Sequence, residues 1–305
     1  MEVHWPSKRA PVLRPSYKHS DALADFYRLR DLRCTLTTSK EWQSNKGSPV
    51  PHKLGLTSIA NTGQRFANYF HFSDRSRAKK PGKEDAQTML RRHSRGETQR
   101  ISRAIERMRR SAQLSRMNDD KLLALAIKSN SALFSIDQFP AHVAKSLADA
   151  FVAVSVLDFC AGWGDRLSGF LASSSVKHIC LVDPRRSTPS KYTAQLRASK
   201  RDDVTLRVFT EGAEHAVPRM RGNQFDVILT SPPYAHAEIY DSAGKGQAID
   251  TVATEDFVER WLGPIMRDCM RTLRSGGVLI VNIADSPTND IIICAKVLKY
   301  MKSAG

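Results

Sequence analysis

From Val152 onward the apolar positions fall into short, β-branched runs, each closed by a turn residue and followed by residues at helical spacing. That alternation predicts strands over Val154–Phe159, His178–Val182, Val204–Phe209, Phe225–Leu229 and Val278–Ile283. Helices are predicted between and after them, over Asp165–Ser174, Pro189–Lys200, Thr254–Arg274 and Asn289–Met301, with a short turn near Glu214–Met220. Repeated βα units in this order predict an open, doubly wound α/β sheet with its ligand at the carboxyl ends of the strands.

The first half of the chain has another texture. Residues 1 to about 60 are punctuated by Pro6, Pro11, Pro15, Pro49 and Pro51, which predicts partly irregular structure. From Gly96 to Asn118, Ile101, Ala104, Ile105 and Met108 repeat at three and four, which predicts a helix with one narrow apolar edge. Just upstream, Ala67–Phe72 interleaves aromatic rings with charge; core packing and a base-stacking platform are both open to it.

Charge sharpens the division. The 305 residues carry 47 Lys plus Arg against 31 Asp plus Glu, a net +16. Before residue 150 there are 28 basic and 14 acidic residues, so +14 of the excess lies in the first half. Between Arg65 and Arg116 the count is 15 to 5, and Arg dominates. Guanidinium groups pair bidentately with phosphate, so a polyanion, nucleic acid, is the expected partner, held by Arg91, Arg92, Arg95, Arg103, Arg107 and Arg110. A solvated basic helix is the plainer alternative.

The length suits about two domains: a basic, mainly helical N-terminal region over 1–136, expected to bind nucleic acid and recognise the target, and an α/β domain over 137–305. No apolar run approaches the ~18 residues of a membrane span, and the first residues lack the apolar core of a signal peptide. Five cysteines lie far apart with no CxxC pair, so neither a disulfide framework nor a metal site is expected. The expected location is intracellular, in cytoplasm or nucleus, with no membrane partner.

Candidate chemistry sits at two strand ends. After the first strand, Asp158-Phe159-Cys160-Ala161-Gly162-Trp163-Gly164 turns tightly into a helix whose first N–H groups are free to face a ligand. Asp183 closes the next strand, where doubly wound folds place a carboxylate against ribose hydroxyls. Leu167 stands where a third glycine of a dinucleotide fingerprint would be, and no Gly-Lys-Ser or Gly-Lys-Thr follows, so neither NAD or FAD nor a phosphate-gripping loop is indicated.

After the fourth strand comes Ser231-Pro232-Pro233-Tyr234. Here the sequence resembles the S-adenosylmethionine-dependent amino-methyltransferases that act on nucleic-acid bases, over residues 137 to 301. In that family an Asp/Asn/Ser-Pro-Pro-aromatic loop follows strand four and an Asp-x-Phe-x-Gly-x-Gly loop follows strand one. The wording around both loops also looks like DNA methyltransferases of phages and large viruses, many of which have an aromatic residue where this chain has Ala235.

The resemblance implies a Rossmann-like methyltransferase sheet with S-adenosyl-L-methionine as cofactor. It places Asp158, Phe159, Ala161, Gly162 and Gly164 near the methionine part, Asp183 at the ribose and Glu214 near the adenine ring. Phe139, Pro140 and His142 stand where the family has a further cofactor-contacting segment. It implies that the Ser231 hydroxyl and the Pro232 carbonyl accept the two hydrogens of an exocyclic amino group. Pro233 stiffens the loop and Tyr234 stacks on a base flipped out of its helix. His236, Glu238 and Tyr240 follow and could line the pocket.

The implied activity is transfer of a methyl group to N6 of adenine or N4 of cytosine, most simply in double-stranded DNA. RNA base methylation, at adenine N6 or guanine N2, and a non-catalytic nucleic-acid-binding protein on the same scaffold are the alternatives. The family normally closes its sheet with a hairpin after the fifth helix; no sixth or seventh strand is visible here, so the expectation is either a truncated or diverged product or a sheet completed by the N-terminal half.

Overall fold

The computed structural model describes residues 1–4, 10–33, 36–39, 53–56, 61–80, 82–132, 138–222, 224–233, 240, 252–253, 256–285 and 293–303, with only the backbone of 36–39 and 53–56. Tyr234, Ala235, His236 and Glu238 lie outside the described residues.

The N-terminal half opens with an antiparallel pair, β1 (Glu2–His4) and β2 (Val12–Arg14), in which Val3 faces Leu13. Helix α1 (His19–Asp31) follows where irregular structure is expected. Its apolar positions Ala22, Phe26 and Leu29 stand at four and three, too short a signal to outweigh the surrounding prolines, and all three are buried. Strands β3 (Leu36–Ser39) and β4 (Lys53–Leu56) form a second antiparallel pair. Four helices come next: α2 (Gln64–Arg75), α3 (Ala86–Ser94), α4 (Arg100–Arg109) and α5 (Asp119–Asn130).

Asp25 of α1 caps α2 from outside: its Oδ2 accepts from the backbone N–H groups of Gly63, at 2.9 Å, and Arg65, at 3.0 Å. Helix α4 is shorter than the predicted span and ends at Arg109; a run of turns leads to Asn118, whose side chain caps α5 by accepting from Lys121 N–H at 2.9 Å.

After α6 (Ala141–Ala150), the chain alternates as predicted. The elements are β5 (Ser155–Asp158), α7 (Asp165–Ala172), β6 (His178–Val182), α8 (Pro189–Ser199), β7 (Thr205–Phe209), the short α9 (Ala213–Ala216) with a 3-10 turn (Val217–Arg219), and β8 (Phe225–Thr230). The predicted helix Thr254–Arg274 is in fact a π-helical turn (Phe257–Leu262) running into α10 (Gly263–Met270). Pro264 supplies no N–H to the turn before it, which favours the wider winding there.

Strand β9 (Leu273–Val281) begins five residues before the predicted start. Its register steps from Leu273 to Val278 while β8 steps only from Phe225 to Val227, so the Gly276-Gly277 pair sits inside a bulged strand rather than ending one. Helix α11 (Cys294–Ser303) closes the described chain.

The five strands β5 to β9 form one parallel sheet in the order β7-β6-β5-β8-β9, confirming the predicted α/β class. The N-terminal strands form two separate two-stranded sheets, so among the described residues the N-terminal half does not complete the central one.

Alternation along the strands sends Val156, Ile179, Leu181, Val227 and Leu229 to one face, against α6, α7 and α8 with Phe26, Leu29 and Phe66 of α1 and α2. Leu157, Cys180, Val182 and Ile228 point the other way, against Val217, Phe257, Trp261 and Ile265. A third cluster lies outside the sheet: Val3, Leu13, Phe72, Met89, Leu90, Ile101, Ala104 and Ile127. Among the described residues no helix is long and apolar enough to cross a membrane.

Candidate functional site

Strand order reverses at β5: β6 lies on one side of it and β8 on the other. The loops leaving β5 and β8 therefore part at the switch point, where open α/β sheets bind ligands. The predicted residues Asp158–Gly164 and Ser231–Pro233 are the loops that leave the sheet there. A direct bond joins their strands: Thr230 Oγ1 donates to Asp158 Oδ1 at 3.0 Å.

Asp158 is wholly buried and all of its hydrogen bonds are internal. Arg166 Nε donates to its Oδ2 at 2.7 Å and Arg166 Nη2 to its Oδ1 at 3.2 Å, while Cys160 N–H donates to Oδ1 at 3.2 Å. This bidentate pair ties the first turn of α7 to the end of β5 and holds the loop between them. Phe139 lays its ring against the same guanidinium, 5.1 Å from ring centre to Arg166 Cζ. Phe159 turns into the core cluster on the far face of the sheet. The Phe of the family's strand-one pattern, counted from Asp158, falls on Cys160, so that loop matches the pattern less fully than its glycines suggest.

The two glycines of the loop have left-handed backbones, φ +56° at Gly162 and +69° at Gly164. A Cβ at Gly162 would meet only the Cys160 carbonyl, at 3.8 Å, so this part of the loop leaves open space beside it. Ala161 N–H donates to the Val182 carbonyl and Gly162 N–H to Asp183 Oδ2, at 2.8 Å, joining the loop to the end of β6. Asp183 Oδ1 accepts from Arg185 N–H at 3.0 Å. Each carboxylate oxygen keeps a further lone pair for a ligand. Burial pushes the Asp183 carboxyl up to about 6, against the pull of Arg185 and of both backbone N–H groups.

Glu214 is held by the Trp261 indole, whose Nε1 donates to its Oε2 at 3.1 Å. At the other loop, Asn282 beyond β9 donates through Nδ2 to Ser231 Oγ at 3.1 Å, and its backbone N–H donates to the Thr230 carbonyl at 2.8 Å. Pro232 is buried. Of the predicted quartet, Tyr234 lies outside the described residues.

Helix α2 supplies a set of neighbours that sequence reasoning missed. Gln195 of α8 is fully buried and donates through Nε2 to the Gly164 carbonyl at 3.1 Å and to Ser168 Oγ at 3.0 Å. With both amide hydrogens so used, its Oε1 is the acceptor for His71 Nε2, 2.9 Å away. The His71 proton therefore sits on Nε2, and Nδ1 has no partner among the described residues. Burial pushes His71 down to about 3, although the Gln195 bond favours the charged form.

A group depressed in this way lends stability above its unfolded value, near 6.5, that is lost as pH falls toward 3. Relative to His71→Gln, the wild type is expected to lose about 2 kcal/mol between pH 7 and pH 5, read by urea denaturation. Identical pH dependence of the two proteins would refute this account. Asp165 and Asp183, both raised to about 6 by burial, act in the opposite direction but equally in the two proteins.

The predicted arginines sort by partner. Arg92 pairs with Glu84 at 3.1 Å, Arg95 with Glu97 at 3.7 Å, and Arg103 Nη2 donates to Gln99 Oε1 at 3.2 Å. Arg91, Arg107 and Arg110 are exposed and have no carboxylate partner among the described residues. Arg100, Arg103, Arg107 and Arg110 recur at three, four and three along α4 and line a surface groove of about 750 Å³, with Ile101 and Ala104 buried behind them. The aromatic stretch before them divides as well: Phe72 and His71 are buried, while Tyr69 and Phe70 are half-buried. No group of side chains able to hold a metal ion occurs among the described residues.

No family model matches the chain. A curated relative, type II methyltransferase M.SmaI of Serratia marcescens, is 34% identical over 85 residues, which make up 28% of each protein. The match thus spans little more than a quarter of that relative. Among solved structures, a SAM-dependent methyltransferase of Agrobacterium tumefaciens is 18% identical over 54% of this chain and 51% of that one, with a TM-score of 0.39. A methyltransferase of Geobacter sulfurreducens is 14% identical over 64% and 77%, with a TM-score of 0.32. Structural likeness this distant adds nothing to the topology described above.

Proposed function

We propose that this chain is an S-adenosylmethionine-dependent methyltransferase that modifies an exocyclic amino nitrogen of a base in DNA, N6 of adenine or N4 of cytosine. The observation that carries this reading is that a two-glycine loop and a Ser-Pro-Pro loop leave neighbouring strands at the switch point of the sheet, strands joined through Thr230 and Asp158. The stretch of similarity to a type II methyltransferase agrees with it.

The residues present fit the cofactor. Beside Gly162 the loop leaves space, Asp183 has lone pairs at the position that suits ribose hydroxyls, and the indole Nε1 of Trp163, a residue only 8% exposed, has no partner among the described residues. When bound, S-adenosylmethionine supplies an electrophilic methyl group on a positively charged sulfur.

The chain's own part is positioning. An amino group on a base is a poor nucleophile because its lone pair is delocalised into the ring. Ser231 Oγ and the Pro232 carbonyl, neighbours along the loop, would accept its two hydrogens and leave the lone pair aimed outward. Asn282 occupies one lone pair of Ser231 Oγ, so the hydroxyl keeps one for the amino group. Held beside Gly162 and Asp183, the cofactor would supply its methyl group to that nitrogen, the carbon–sulfur electron pair staying on sulfur. The product nitrogen then sheds a proton to water. Arg91, Arg107 and Arg110, exposed and without a carboxylate partner among the described residues, suit a phosphate backbone.

The test is tritium transfer from labelled S-adenosylmethionine to duplex DNA, single-stranded DNA and RNA, with nucleoside analysis of the product. Labelled N6-methyladenine or N4-methylcytosine in DNA is expected, and Ser231→Ala should lower the rate about 10²-fold or more. Transfer to RNA alone would replace the substrate, whereas binding of cofactor and nucleic acid without any transfer would mark a non-catalytic scaffold. A Ser231→Ala variant as fast as the wild type would remove the mechanism.

A further inference from the structure

One side of α2 and the turn after it meets the cofactor loop and its supports at every helical step. His71 reaches Gln195. Asp74 pairs with Lys191 at 2.5 Å and accepts from Ser187 Oγ at 3.0 Å, both beyond Asp183. Arg75 Nη1 donates to Gln138 Oε1 at 2.5 Å, and Gln138 Nε2 donates to Asp165 Oδ1 at 2.8 Å, in the first turn of α7. Ala78 packs with Trp163, between the two glycines. Positions 71, 74, 75 and 78 are one stripe at helical spacing. Of the bonds just given, that of His71 to Gln195 leads to the backbone of the glycine loop itself.

We propose that His71 is a positioning residue for the cofactor loop, acting through Gln195 to hold the Gly164 carbonyl; the cofactor's identity in this statement rests on the function proposed above. The reasoning is a count of hydrogen-bonding groups. Gln195 is fully buried and has one acceptor and two donors. The Gly164 carbonyl and Ser168 Oγ take both donors, and the His71 Nε2–H satisfies the acceptor. Without that N–H, Oε1 is left dry and unpaired, and the amide relieves this by turning, which withdraws a donor from Gly164. Gly164 has a left-handed backbone with Gln195 directly against it, so the loop has little room to adapt. His71 lies 93 residues before Gly164 in the chain, so no local spacing reveals the connection.

The variants that separate positioning from filling space are His71→Phe and His71→Gln. Phenylalanine keeps a ring against Tyr192, whose ring centre is 5.2 Å from that of His71, but has no N–H. Glutamine restores a donor at the position of Nε2. Two readouts are taken on the full chain: hydrogen exchange of the 160–168 amides without ligand, and the Kd for S-adenosylhomocysteine by calorimetry.

In His71→Phe the loop amides are expected to exchange about tenfold faster and the Kd to rise about tenfold. His71→Gln should stay within about threefold of wild type on both. Unchanged exchange in His71→Phe, or equal damage from both variants, overturns the proposal. Should His71→Phe not fold, Gln195→Glu decides: it keeps an acceptor for His71 but loses the donor to Gly164, and wild-type exchange there overturns the proposal equally. Exchange that responds as expected in a protein with no affinity for S-adenosylhomocysteine upholds the role of His71 and removes the methyltransferase reading instead.

Discussion

Asp158→Ala is expected to lower folding stability by about 3–5 kcal/mol. The carboxylate and the Arg166 guanidinium are almost completely enclosed, with side-chain exposures of 1% and 6%. Removing the acid strands a buried guanidinium, and it also takes the acceptor from the Thr230 hydroxyl and the Cys160 N–H. Arg166→Met should cost a comparable amount, since it leaves the carboxylate without its cation. The double variant Asp158→Ala, Arg166→Met should lose much less than the two single losses added, because neither buried charge then remains unpaired. Urea denaturation of the four proteins gives the cycle directly. Single variants that each lose under about 1 kcal/mol would show that the pair is hydrated rather than enclosed.

Gly164→Ala comes second. Its φ of +69° is a conformation that costs an L-residue about 1–2 kcal/mol. The added methyl group would also lie inside the Gln195 amide and press on His71 Nε2, for about 1–3 kcal/mol more. Relief by moving Gln195 breaks its bond to the Gly164 carbonyl, so the expected result combines lower stability with a loss of S-adenosylhomocysteine affinity of about 10²-fold. Gly222→Ala, also at positive φ but with nothing within 4 Å of the new methyl, is the control for backbone strain alone. It should lose stability by the smaller amount and keep ligand affinity. Equal behaviour of the two variants would mean that the crowding around Gly164 is unimportant.

The contrast between these positions shows what a sequence can report. Strand β6 was predicted at its observed ends, His178 and Val182, because a β-branched run bounded by turns allows little else. The start of β9 was missed because Gly276-Gly277 looks like a stop, whereas pairing with β8 carries the strand through it. Helix α1 was missed because its apolar positions mark only one narrow face amid proline-rich sequence.

At the site, the glycines and Ser231-Pro232 are visible because local backbone chemistry requires them. Arg166 is in plain view eight residues after Asp158, yet nothing in the spacing says that the chain turns back to pair them. Asn282 and Gln195 are legible only once strands far apart in sequence lie side by side. The arginine run could be read as a cluster, but not which members are already neutralised by Glu84, Glu97 or Asp119.

Helix α2 contributes buried residues to two clusters, Phe66 beneath the sheet and Phe72 beneath the arginines of α4. The chain enters the arginine-bearing cluster with β1 and β2, leaves it for α1, and returns through α2. That cluster is therefore discontinuous in sequence, and no single junction frees it. Replacing that cluster while keeping the sheet would need two crossovers, one between β2 and α1 and one after α2, both keeping α2 with the sheet. A lineage that exchanged the cluster by recombination would be expected to carry its breakpoints there.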